Sequence, residues 1–415
     1  MISYSGWQWL LIDVANQFGL DKLLFEDRIK WTEDNLEKLE SLDSEVPTKK
    51  RALYIKARLA VRKALNGFPT GHMVGVDGTC SGIQIMSALT GCVEGAKATN
   101  LTDPTTRYDA YTEVTEAMSK TLGSSISVSR DDAKSATMCS FYGSKAEPKK
   151  IFGEGSPQLE AFYKATTKIA PGAWELLQDL LSSWQPYTLS HNWKLPDGFD
   201  AHVKVMTKRT VRIEVDELPG HPTFSYELYD NAGEKKGLSN VANVVHSIDG
   251  FIVREMHRRC NYDRKVIDQA ALTVEIELVA RNIGKVYDDK CFDSNIEYYR
   301  DQYHYSGMPS IVIAPYIDTT TVAYLSTKHL VALSKIMNGM LQYRPFDLVT
   351  VHDEFRSLAN NVNWVRWQYK EILAQIADSV LLDDLISQLH QSVGTFRKLS
   401  PNLGDQIRNS NYALV

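Results

Sequence analysis

Apolar residues recur at helical intervals along most of this chain, and strict alternation is confined to one stretch between residues 200 and 229. The fold must therefore be mostly helical with little sheet. Trp9, Leu10, Val14 and Phe18, then Leu36 and Leu39, then Leu53, Ile55, Leu59 and Ala60 read as helix after helix, with charges between the stripes. Met73 to Val76 is a short apolar run opening onto Asp77-Gly78-Thr79, which predicts a strand, a turn and a helix from about Ser81 to Leu89. From Asp103 to Trp184 the pattern is helical again, with Pro104 and Pro171 read as first-turn prolines. Val203, Val205, Val211, Ile213, Val215, Phe224, Tyr226 and Leu228 then alternate with polar residues and predict a β-ribbon turning near Lys208-Arg209 and Pro219-Gly220. Further on, the spacing predicts helices at about 238–260, 264–283 and 326–342 and a strand at Ile311-Val312-Ile313. A last strand, Phe346 to Val351, ends at His352-Asp353, and helix follows until Gly394, then a loop. The expected class is α/β (α+β), mostly helical.

At 415 residues, 43% hydrophobic and 23% charged, the chain can hold two or three domains and is no disordered tail, collagen or small disulfide scaffold. A formal net charge of −5 confines any polyanion to a local patch. The five cysteines are scattered and never form a Cys-x-x-Cys pair, which predicts reduced thiols and no structural zinc. Asp13 and Asn16 interrupt the first apolar run and no basic segment precedes it, so neither a signal peptide nor a membrane span is expected.

Three clusters carry chemistry. In GVDGTCSGIQ, Asp77 ends a strand and Gly78 permits close backbone approach, which suits a hard oxygen ligand for a divalent cation; taken alone, Asp-Gly is also an ordinary turn. Steps of four place Arg130, Lys134, Met138 and Tyr142 on one helical face, where cations could hold a triphosphate and the ring a base or sugar. The same face could be a solvated basic helix with Tyr142 in the core. In VTVHDEF, Asp353 follows an apolar strand and calls for a metal or a basic partner, unless the segment is an exposed turn. Two strand-end carboxylates and a basic-aromatic helix are the parts of two-metal phosphoryl transfer.

At these residues the chain resembles the single-subunit DNA-dependent RNA polymerases of bacteriophages and mitochondria. GVDGTCSGIQ is similar to the family's motif A, Arg130-x3-Lys134-x7-Tyr142-Gly143 to motif B, and VHDEF to motif C, in the family's order. NVVHSIDG at 243–250 resembles the segment whose histidine approaches the substrate ribose, GLDKLLFEDRIKW at 19–31 a segment upstream of the palm, and LGDQIRNSNYALV the aromatic C-terminus.

The resemblance implies a right-hand polymerase. Residues 1–95 would begin the palm, 96–245 would form the fingers with the ribbon at about 200–230, and 246–415 would complete the palm around an insertion at about 262–345, read as scaffold. Asp77 and Asp353, with the Gly78 carbonyl, would hold two Mg2+. Arg130, Lys134 and Lys22 would bind the triphosphate, Tyr142 and His246 would sense the ribose 2′-hydroxyl, and Tyr111 would lie near the nucleotide. Lys204, Lys208, Arg209 and Arg212 on the ribbon would touch DNA. A family A DNA polymerase, which shares the Lys-x7-Tyr-Gly helix, carries a glutamate five residues after the metal aspartate; here that place is Gly82, so ribonucleotides are expected. Besides such a DNA polymerase, a primase and a non-catalytic DNA-binding remnant compete with this reading. The expected partners are a DNA template, rNTPs, an RNA product and a second polypeptide supplying the apparently missing thumb and N-terminal region, in the cytoplasm of an infected host cell.

Overall fold

A computed structural model of the chain describes residues 1–123, 127–237 and 239–415. Among these the strands are β1 (Met73–Asp77), β2 (Ser190–Lys194), β3 (Asp200–Lys204), β4 (Met206–Glu214), β5 (Thr223–Asn231), β6 (Val349–Val351) and β7 (Glu354–Leu358), and the other regular elements are helices. All strand pairs are antiparallel: β7 lies between β1 and β6, β2 pairs with β3, and β4 with β5.

The three-stranded sheet is small but central. Val74 and Val76 of β1 and Phe355 of β7 turn into the main core, which also takes side chains from the helices Gly6–Ala15, Ser81–Thr90 and Val362–Asp378. Ser81–Thr90 is buried all round, as its nearly uncharged sequence requires. The chain ends meet on this core: Tyr4, Trp9, Phe25 and Tyr412 pack ring on ring, with Arg366 held over Trp9 and Phe25. On the edge of β1 opposite β7, Asp77 exchanges two backbone hydrogen bonds with Val415 (2.9 and 3.0 Å). Two smaller cores stand apart. One is built from Val114, Met118, Ala133 and Phe162, the other from residues between Ile267 and Met340.

Most expected elements form, including Arg264–Asn282 and Thr327–Met340; Ser239–Cys260 forms too, with residue 238 of that expectation outside the described residues. Several details differ for physical reasons. In the helix Thr48–Leu65 the buried face is Tyr54, Ala57, Ala60 and Val61, while Leu53 and Leu59 point to solvent, because the Tyr54 hydroxyl is drawn in to donate to the Leu39 carbonyl (2.9 Å). Leu36 and Leu39 lie in turns after the helix Phe25–Asp34. Pro104 opens no helix: Asp103 Oδ1 accepts from the Thr105 and Thr106 amides, making a turn, and the helix begins at Ala110. Pro171 does open one, Pro171–Ser182.

Lys208-Arg209 is mid-strand, not a turn, because Lys208 pairs with Glu227 (2.5 Å) and Arg209 with Asp230 (2.8 Å) across the ribbon. The hydrogen-bonded partner of β3 is β2, so only β4 and β5 make the long ribbon. Ile311–Tyr316 is a 3-10 helix rather than a strand, since Pro315 has no amide for a ladder and Ser310 caps the turn. After His352-Asp353 the chain continues as β7, and Leu403–Asn409 adds a helix beyond Gly394.

Candidate active site

A two-residue turn, His352-Asp353, joins β6 to β7, with Val351 opposite Glu354. His352 takes a left-handed backbone (φ 56°), which costs a side-chain-bearing residue about 1–2 kcal/mol. The turn is fixed on its other side, where the Gly78 amide donates to the Asp353 carbonyl (3.2 Å). A Cβ at Gly78 would lie 3.0 Å from Asp353 Oδ2 and 3.3 Å from the Tyr369 hydroxyl, so glycine is what lets the carboxylate come this close. Tyr369, fully buried, donates to Gln84 Oε1 (2.7 Å), and Gln84 Nε2 donates to the Ala413 carbonyl (3.0 Å). Asp77 and Asp353, 276 positions apart in sequence, thus face one another on a braced frame.

The electrostatics record this crowding. Burial, then Asp353 and Glu354, push the Asp77 carboxyl up to about 6 against the pull of the Gly78 amide and Lys134, although Asp77 stays open to solvent at the strand end. Glu354, opposite Asp77 in the β1–β7 register, is held by Arg356 (2.7 Å). Asp249, one turn along its helix from His246, is raised to about 6 by burial and by Asp353. Hard carboxylate oxygens crowded together, with Asp77 and Asp249 both raised beside Asp353, are a donor set that a divalent cation would relieve, so these residues fit Mg2+.

The helix Arg130–Phe141 begins at Ser129, whose hydroxyl caps Asp132. Arg130 grips Asp109 Oδ2 through Nη2 (2.6 Å) and Nε (3.1 Å), and Asp109 in turn caps the helix Ala110–Leu122 through the Tyr111 and Thr112 amides. Burial raises the Asp109 carboxyl, yet Arg130 and then Lys22 hold it below the usual range. Arg130 and Lys134 both reach the Tyr111 ring (5.6 and 5.7 Å to its centroid). The Tyr111 phenol, raised by burial, meets Cys80, itself left-handed (φ 74°) at the head of the helix Ser81–Thr90.

Tyr142 is the C-cap of the Arg130–Phe141 helix and stacks on His246 of Ser239–Cys260, with ring centroids 4.7 Å apart and planes 9° from parallel. A Cβ on Gly82 would stand 2.9 Å from the Tyr142 hydroxyl. Burial, then His352, lowers the His246 imidazole. Asp77, Gly78, Asp353, Lys134, Tyr111, Tyr142 and His246 therefore cluster, and Arg130 joins them through Tyr111. Lys22 lies farther out with Asp21 (3.3 Å) on the Arg130–Asp109 side. Sequence reasoning gave no role to Asp249, Glu354, Asp109 and Arg107; Asp249, three residues from His246, and Glu354, next to Asp353 in VHDEF, had a local signal.

Residues 1–143 match the model of the DNA-dependent RNA polymerase family. The chain is similar to a mitochondrial DNA-directed RNA polymerase of Arabidopsis thaliana, 34% identical over 125 residues, 26% of this chain and 13% of that protein. It is also similar to the DNA-directed RNA polymerase of Pseudomonas phage phiKMV, 30% identical over 137 residues, 29% of this chain and 17% of that one. A mitochondrial enzyme of Schizosaccharomyces pombe is 30% identical over 132 residues, 28% of this chain and 11% of its own length. The chain thus aligns with less than a fifth of the length of these relatives. The match ends at Gly143, so His246 and Asp353 enter the cluster through the fold and not through the alignment. Over its first 143 residues the chain is therefore similar to the DNA-dependent RNA polymerases, among them phage and mitochondrial enzymes.

Proposed function

We propose that this chain carries the fingers and palm of a phage DNA-directed RNA polymerase and adds ribonucleotides to an RNA 3′-hydroxyl on a DNA template. The observation that carries the reading is the placing of Asp353 against Gly78, beside Asp77, by a hairpin far outside the matched segment. Asp77 and Asp353, with the Gly78 carbonyl, would hold two Mg2+. Bound there, the ions would supply activation of the 3′-hydroxyl and neutralisation of charge on the phosphates and the leaving pyrophosphate. Lys134, which reaches towards Asp77, and Arg130, which is released from Asp109 when phosphate competes, bind the triphosphate, with Lys22 at the outer end. Tyr142 and His246 present a stacked pair of polar rings to the ribose, and the missing side chain at Gly82 leaves room for a 2′-hydroxyl.

In the same reading the net charge of −5 fits a chain whose DNA-binding surface lies partly on a second polypeptide, in the cytoplasm of an infected host cell. The ribbon cations are less available to DNA than their number implies, since Lys208 and Arg209 are paired across the strands.

The test is to recover the tagged chain from cells expressing its neighbouring genes and offer it an RNA–DNA primer-template, Mg2+ and either rNTPs or dNTPs. Ribonucleotide-selective extension with a second polypeptide present is the expected result. Extension that prefers dNTPs, or none with the partner bound, overturns the reading.

A further inference from the structure

Arg107 lies outside every motif, in the loop between Pro104 and the helix Ala110–Leu122. Its guanidinium is half-buried, and among the described residues its one hydrogen bond is from Nη1 to the Lys22 carbonyl (3.3 Å), while Nε is buried without a partner. Both nearby carboxylates are already engaged. Asp21 sits between Lys22 (3.3 Å) and Lys50 (3.5 Å), and Asp109 is gripped by Arg130 and spent on a helix cap. Arg28 offers no relief: it is fully buried, bonded to the Asp21 and Leu23 carbonyls and Asn16 Oδ1, and is itself a cation beside Arg107. Lys22, Arg28, Lys50, Arg107 and Arg130 therefore face three carboxylates, Asp21, Asp109 and the exposed Asp131 at 4.0 Å from Arg130, an excess of two positive charges.

Such an excess is held together at a cost unless an anion joins it. The place of the excess says which anion. Arg130 touches the Tyr111 ring, Lys134 touches the same ring, and Tyr111 leads through Cys80 to Asp353, so the cations form one stripe ending at the acidic pair. Arg107 and Lys22 join that stripe beside Arg130 and Asp109.

We propose that Arg107 is a phosphate-binding residue that grips the outer phosphates of the incoming nucleoside triphosphate together with Lys22 and Arg130; this rests on the polymerase reading above. A planar guanidinium fits phosphate oxygens through paired N–H donors, and the Lys22 carbonyl holds the Arg107 fork in place for it.

The test measures binding of rNTP and of the matching rNMP to the copurified polymerase on a chain-terminated primer-template, for wild type, R107Q, R107K and R130Q. R107Q is expected to weaken rNTP binding by about tenfold to a hundredfold, the range for a lost charge-assisted bond. Affinity for rNMP and for primer-template should stay unchanged, and R107K should recover part of the loss. Because the comparison is a triphosphate-to-monophosphate ratio within each variant, a general weakening of the fold does not mimic it. If R130Q loses rNTP and R107Q does not, the proposal for Arg107 fails and the site reading stands. If neither substitution changes rNTP binding, the reading of the basic helix fails. Loss of primer-template affinity with rNTP binding intact makes Arg107 a nucleic-acid contact and overturns the proposal.

Discussion

Gly82→Ala is the sharpest test of how the sugar is read. The new methyl would lie 2.9 Å from the Tyr142 hydroxyl and 3.2 Å from its Cζ, where ordinary contacts begin near 3.4 Å, so the ring must retreat by about half an ångström. Tyr142 is not free to do so, being stacked on His246 at 4.7 Å. Forcing the ring off its rotamer costs about 0.5–1.5 kcal/mol, and loosening the stack a similar amount, about 1–3 kcal/mol together. Gly82 lies inside the helix Ser81–Thr90, where alanine is better than glycine by about 1 kcal/mol, so the net effect on stability is small. The effect on chemistry is not offset, because helix propensity does nothing for a displaced ring. The expected result is a fall of about 5- to 150-fold in kcat/KM for rNTPs, a smaller fall for dNTPs, and a melting temperature within a few degrees of wild type. Parallel single-nucleotide extension assays with both sugars, together with a thermal melt, read all three. Unchanged rNTP-over-dNTP preference in a folded G82A enzyme would refute the placing of Tyr142 against the ribose.

Three further outcomes are expected. Asp77→Asn should lower extension by about a thousandfold or more, several kcal/mol of lost charge stabilisation, yet raise the melting temperature, because it relieves the crowding that lifts this carboxyl to about 6; a lowered melting temperature would count against the crowding. Tyr142→Phe keeps the stacked ring and removes the hydroxyl, so it should retain catalysis and relax sugar discrimination, measured as the ratio of the two kcat/KM values. His329, buried and stacked on Tyr303 (3.9 Å), has its imidazole lowered by burial to about 3, below the unfolded value of 6.5. The unfolded chain then binds the extra proton, so stability falls as pH drops below 6.5, by about 1.4 kcal/mol per pH unit. In denaturant titrations at pH 7 and 5, wild type should lose about 2 kcal/mol more on acidification than His329→Phe, and equal losses would show that His329 is not buried neutral.

What the sequence determined by itself is what local periodicity and short-range chemistry can encode. The helix Arg130–Phe141 is legible because its cap, its cations and Tyr142 lie within 14 residues, and the strand before Asp77 because an apolar run meets Asp-Gly. Those local patterns also carried the resemblance to the polymerases. Strand partners were not legible: β7, Glu354-Phe355-Arg356-Ser357-Leu358, has one buried apolar residue, Phe355, and only β1, some 280 residues earlier, makes it a central strand. Nor was the state of each charge. Arg130 committed to Asp109, Lys208 and Arg209 paired on the ribbon, Asp249 turned to Asp353 and Arg107 left without a carboxylate all depend on what comes near. A residue type and its spacing fix what a side chain can do. Whether it does so depends on distance and burial, because charge interactions and desolvation act through space, and only the tertiary structure sets those.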